Sequence, residues 1–121
     1  MTAPGAGTID TRLVVDGRDL APLEVAVTAT TRRRGLLGRD GLEGALWLAP
    51  AKQVHSMRMR FDLDVAFVAA DGTVLHVQVL PRGRISRIVW RARGVLEAEH
   101  GAFGPWGLAT GSRVLLPGSA R

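Results

Sequence analysis

Between His55 and Phe67 the chain alternates between two kinds of side chain. His55, Met57, Met59, Phe61, Leu63, Val65 and Phe67 take the odd positions, and Ser56, Arg58, Arg60, Asp62 and Asp64 stand between them. On an extended backbone this pattern predicts a strand with one largely apolar face. The other face would hold two guanidinium groups and two carboxylates in a row, about 6 to 7 Å apart. Such a row is either a rim of paired charges or part of a binding site. Asp62 with Asp64, and Glu97 with Glu99, are also carboxylates at i and i+2 on one strand face. Paired carboxylates can separate their proton affinities and do acid and base work. More commonly they face solvent or neutralise arginine.

Other chemistries find less support. His55, His76 and His100 lack the close spacing of common metal motifs, and with no cysteine in the chain no thiolate can complete a site, so no metal site is expected. Ser56, Ser86, Ser112 and Ser119 do not sit in a nucleophile elbow. There is no Walker A sequence and no dinucleotide fingerprint, and no cofactor is expected. His55 shares a face with Met57 and Met59, which suits a hydrogen-bonded core or rim histidine better than a general base. No residue is assigned a catalytic role.

The elements that must position these residues are mostly strands. Arg12 to Val15 and Leu23 to Val27 flank a turn region with Asp16-Gly17 and Pro22, which suggests an antiparallel pair with a long connection. Thr30 or Thr31 is placed to cap a short helix running to Leu37 and stopped by Gly38. That helix would carry Arg32, Arg33 and Arg34 in its first turn, against the dipole but with donors at the positive end, where an anion would fit. Ala45 to Leu48 reads as a buried strand ending at Pro50. Asp71-Gly72, between Val65–Val68 and Thr73–Val79, is the strongest hairpin signal in the chain. Val95 to Ala98 and Arg113 to Leu116 complete the set, separated by a Gly-rich corner. The expected fold is mainly β with one short helix (α+β). Its seven to eight short strands would form a compact, largely antiparallel, closed or nearly closed sheet. One domain is expected over residues 10–117, with flexible ends at 1–9 and 118–121.

Composition narrows the setting. Zero cysteines exclude a disulfide scaffold and a thiol nucleophile. The first residues have neither a basic run nor an apolar one, and no 18-residue apolar stretch occurs, so no membrane association and a cytoplasmic location are expected. The formal charge is +5 and Lys52 is the one lysine, so the basic side is arginine. Two clusters stand out: Arg32, Arg33, Arg34 and Arg39, and Arg82, Arg84, Arg87, Arg91 and Arg93. The second falls in a Gly- and Pro-punctuated loop, where solvated charge is the simplest reading. Trp90 and Trp106 lie in expected loops, where an exposed ring can anchor a partner.

Several of these motifs, in this order, resemble the prokaryotic DUF192 (UPF0127) family. The matching positions are Arg32, Gly35, Leu36, Gly38, Arg39, His55, Met59, Arg60, Phe61, Asp64, Asp71, Gly72, Glu97 and Gly111, spread over about residues 23 to 116. Leu37 stands where methionine is usual, Ser56 for threonine, Asp62 for proline, and Glu99-His100 where a small residue is more common. The resemblance implies a fold and candidate positions but no reaction.

The site expected from all this brings Arg32, Arg39 and Arg60 together with Asp64 and Glu97, with His55 nearby. That set makes either an ion-pair network fixing sheet to helix or the mouth of a polar pocket. The leading functional expectation is a non-catalytic binding module for a small polar ligand or a protein segment. Nucleic-acid or other polyanion binding through the arginine clusters is an alternative, although 5% aromatic content with no tyrosine argues against stacking on single strands. A hydrolase using Asp64 or Glu97 is the third. The oligomeric state is left open.

Overall fold

Asp16 and Gly17, with φ of 52° and 79°, reverse the chain within two residues. They join β1 (Thr8–Val15) to β2 (Arg18–Ala26) as a tight antiparallel hairpin rather than through a long connection. The computed structural model describes residues 7–118. Of the flexible ends expected at 1–9 and 118–121, residues 1–6 and 119–121 lie outside the described residues, and β1 begins at Thr8, ahead of the expected domain start.

After β2 the chain forms helix α1 (Ala29–Arg34), then β3 (Ala45–Leu48). β3 pairs parallel to β2, which the intervening helical crossover makes possible. β4 (Leu63–Val68) and β5 (Val74–Leu80) form the hairpin expected around Asp71-Gly72. β6 (Gly94–Glu99) inserts between β3 and β4, antiparallel to both, and a short helix α2 (Phe103–Trp106) follows. The strand order is β1-β2-β3-β6-β4-β5. Four expectations are corrected here. Among the described residues the sheet is mixed, has six strands instead of seven or eight and is not closed, and the short helices number two, not one. The C-terminal stretch expected as a strand makes isolated bridges, Val15 with Val114 and Thr73 with Arg113. Among the described residues no helix is long and apolar enough to cross a membrane.

The alternation within β3, β4 and β6 sends side chains to two cores. One face carries Ala45, Trp47, Ala66, Val68, Leu96 and Ala98, packed with Leu13, Val15, Leu23, Phe103 and Val114. The other carries Leu46, Leu48, Leu63, Val65, Phe67 and Val95, covered by Leu36, Val54 and Met59 from the connecting segments. Close packing is visible at Gly94, where a Cβ would come within 2.6 Å of the Trp47 ring.

The alternating row read from His55 to Asp64 is the largest correction. Its strand begins at Leu63. Before that the backbone turns: the Met59 N–H donates to the Ser56 carbonyl and Arg58 has φ of 62°. Arg58, Arg60, Asp62 and Asp64 therefore do not share a strand face. The apolar residues explain the mimicry, since Met59 folds back onto the sheet while Met57 is 46% exposed.

Candidate functional site

Helix α1 is set by Thr28, whose hydroxyl accepts from the Thr31 N–H while the Thr31 hydroxyl accepts from the Thr28 N–H. Starting at Thr28 moves Arg32, Arg33 and Arg34 into the last turn. They thus complement the negative end of the dipole, the reverse of the placement expected from sequence. Gly35, at φ 52°, ends the helix and turns the chain above strand β6. A Cβ at Gly35 would lie 3.5 Å from Glu97 Oε1.

Glu97 is flanked across the sheet by Leu46 of β3 and Val65 of β4. It is 3% exposed. Among the described residues no donor makes a hydrogen bond to its carboxylate and no cation pairs with it, whereas Glu99 accepts from the Leu42 N–H at 2.7 Å. Burial alone pushes the Glu97 carboxyl up to about 7. Glu97 opens into a cavity of about 630 Å³, whose lining includes Arg32, Arg33, Arg34, Gly35, Gln53 and His55, with apolar walls from Leu36, Leu48, Val54 and Met59.

The segment holding Gln53 and His55 is stitched to residues 81–93. The Ser56 hydroxyl donates to the Pro81 carbonyl and accepts from the Arg84 N–H. The Val54 N–H donates to the Ser86 hydroxyl, and Lys52 Nζ donates to the carbonyls of Trp90 and Ala92. Both serines are occupied with backbone, which leaves neither poised as a nucleophile. His55 Nδ1 accepts from the Met57 N–H at 3.2 Å, so a neutral ring carries its proton on Nε2.

The expected convergence of Arg32, Arg39, Arg60, Asp64 and Glu97 does not occur. Arg32, His55 and Glu97 line the cavity. Arg39 instead clamps Glu24 of β2 with two bonds of 2.8 Å, which raise its affinity for its proton. Arg60 pairs with the exposed Asp40 at 2.9 Å. Asp64 projects from the opposite face to Glu97 and pairs with no arginine among the described residues. It accepts from the N–H groups of Gly101 and Phe103, at 2.9 and 3.1 Å, and pairs with His100 Nδ1 at 2.9 Å. Asp64 therefore pins the corner leading into α2. Asp64 and Glu97 cannot act as a pair through the sheet between them.

Sequence reasoning passed over Arg33, Arg34 and Gln53 as site residues. The first two were visible as a cluster with Arg32. Gln53 gave no signal beyond its place two residues before His55. Outside the cavity, the second arginine cluster lies on an exposed loop with Ile85 and Trp90, which are 66% and 74% exposed. Trp106 is half-buried against Phe103.

Comparison with known proteins bears on the fold. The model of the DUF192 family, described as an uncharacterized ACR, matches residues 11–116. No functionally curated protein resembles the chain closely enough to count as a relative. A crystal structure of a Sinorhizobium meliloti 1021 protein, provisionally described as a transcription regulator, superposes with a TM-score of 0.76 at 22% identity. The match covers 92% of this chain and 96% of that one. A protein of unknown function from Novosphingobium aromaticivorans DSM 12444 gives a TM-score of 0.77 at 21% identity, over 96% and 91% of the two chains. At these identities the likeness is one of fold.

Proposed function

The chain belongs to the DUF192 family, and for it we propose a role as a non-catalytic binding module whose small polar ligand occupies the cavity between α1, β6 and residues 50–59. One observation carries this reading: a buried carboxyl, Glu97, opens, with no partner among the described residues, into a cavity that three arginines also line. A buried carboxyl without a protein partner carries a cost of up to about 1 to 3 kcal/mol unless the cavity's contents satisfy it, and a ligand that does so recovers that cost on binding. Binding accounts for the arrangement better than turnover does. Among the described residues Glu97 has no second acid or base in hydrogen-bond contact, and His55, though it lines the same cavity, makes no bond to it.

Native and denaturing mass spectra of gently purified protein test the reading. A non-covalent companion mass is expected in the wild type and is expected to be lost when Arg32, Arg33 and Arg34 are changed together to alanine. Retention of the same mass by that variant would move the ligand out of the cavity.

A second reading, polyanion binding, draws on Arg82, Arg84, Arg87, Arg91 and Arg93. All five are exposed, and among the described residues Arg82 alone approaches a carboxylate, Asp62, at 3.6 Å. Affinity for a duplex oligonucleotide would then fall steeply with salt. Absent binding at low salt ends this alternative.

A further inference from the structure

We propose that the ligand of this cavity is an elongated zwitterion, with a primary ammonium at its inner end against Glu97, an apolar middle along Leu36, Leu48, Val54 and Met59, and an acidic group at its outer end against Arg32, Arg33 and Arg34. The proposal rests on the reading of the cavity as a ligand site and adds the chemistry of the occupant.

The cavity sets Glu97 apart from Arg32, Arg33 and Arg34, with Gln53 and His55 completing its polar lining. Arg32 and Arg33 make no side-chain hydrogen bond or ion pair among the described residues, and Arg34 reaches a single carbonyl, that of Leu37, at 3.5 Å. None of the three comes within ion-pair distance of Glu97, and burial without any compensating charge is what governs that carboxyl. Protein groups thus leave an acceptor at one place and donors at another, with apolar side chains also in the wall. An ionised carboxylate has lone pairs for about four hydrogen bonds, and an ammonium brings three donors and the opposite charge. Guanidinium forks match a carboxylate or phosphate. The reverse orientation would set an anion against Glu97 and a cation among arginines. The volume, about 630 Å³, is in the range of small-molecule sites, about 300 to 1,000 Å³.

The charged and titratable groups that line the cavity with Glu97 are Arg32, Arg33 and Arg34 from α1 and His55 from the segment after β3, while the cross-strand neighbours Leu46 and Val65 are apolar. An ammonium at Glu97 favours its ionised form, so complex formation releases a proton from the protonated fraction.

Calorimetry at pH 7 with 8-aminooctanoate, octanoate and octylamine tests the assignment. On the wild type, 8-aminooctanoate is expected to bind at least tenfold more tightly than octanoate. Glu97→Gln, checked for folding by circular dichroism, is expected to erase that preference while leaving octanoate unaffected. The Arg33→Ala, Arg34→Ala double variant is expected to weaken both acids and leave octylamine unchanged. Octanoate binding as well as 8-aminooctanoate, or a preference that survives Glu97→Gln, overturns the zwitterion and leaves the cavity as a ligand site. So does a captured companion mass lacking either an amine or an acid. No heat from any probe also overturns the zwitterion, and if no companion mass is retained the cavity reading falls with it.

Discussion

Asp64 and Glu97 are carboxylates of nearly equal burial, 6% and 3% exposed, on adjacent strands of one sheet. Asp64 is surrounded by two backbone N–H groups and the His100 ring, while Glu97 meets no donor among the described residues. The contrast separates two reasons for burying a charge. A satisfied carboxylate organises the chain that satisfies it. An unsatisfied one, held open to a cavity, is under the proposed reading the place where a ligand docks.

The largest expected effect falls on the satisfied partner. Asp64→Ala strands two N–H groups at the entrance to α2 and is expected to remove about 3 to 5 kcal/mol of stability in urea unfolding. A loss no greater than that of an exposed substitution would erase the contrast. Next comes the pH dependence of Glu97. Its carboxyl binds a proton more tightly folded, at about 7, than unfolded, near 4.5. Its contribution is therefore complete below about pH 4.5 and is lost as pH rises through about 7, amounting to about 3 kcal/mol. Unfolding of Glu97→Gln between pH 4.5 and pH 8 should lack that part of the wild-type slope, and parallel curves would mean that Glu97 is solvated. Arg39→Ala, which breaks a half-buried pair with Glu24, should cost about 1 kcal/mol by chemical denaturation. Arg60→Ala should shift the unfolding midpoint least, by under about 0.5 kcal/mol, since its partner Asp40 is 87% exposed.

Local chemistry made parts of this molecule readable in advance. Asp71-Gly72 specified its hairpin, with Asp71 accepting from the Thr73 N–H at 2.9 Å and held below the usual carboxylate range by that bond. Ala45 to Leu48 read correctly because an apolar run ending before a proline has few alternatives. The stretch from His55 to Asp62 misled because a period of two records which side chains reach a core, and a turning segment folded onto a sheet leaves the same record. Glu97 entered the candidate set through its motif, whereas its isolation did not show in sequence. In Val95-Leu96-Glu97-Ala98-Glu99 the face of Glu97 looks solvent-bound, and residues more than forty positions earlier, around Leu36 and Val54, cover it. Burial imposed by such distant segments leaves no periodic trace. The convergence expected of Arg39 and Arg60 failed similarly: nearer carboxylates, Glu24 and Asp40, claimed them first.

The stretch Ser112–Leu115 touches both margins of the sheet: Leu115 donates to Val14 of β1, and Val74 of β5 donates to Ser112. During synthesis β1 precedes the other described strands and this seam follows them, so each outer strand keeps bare backbone until residues 112–115 emerge. Contacts between chain positions so far apart slow folding, and a nascent chain paused before the seam would present two unpaired strands to its neighbours. The two margins thus share one cover, and ending the chain at residue 110 should turn a self-contained sheet into one that recruits others.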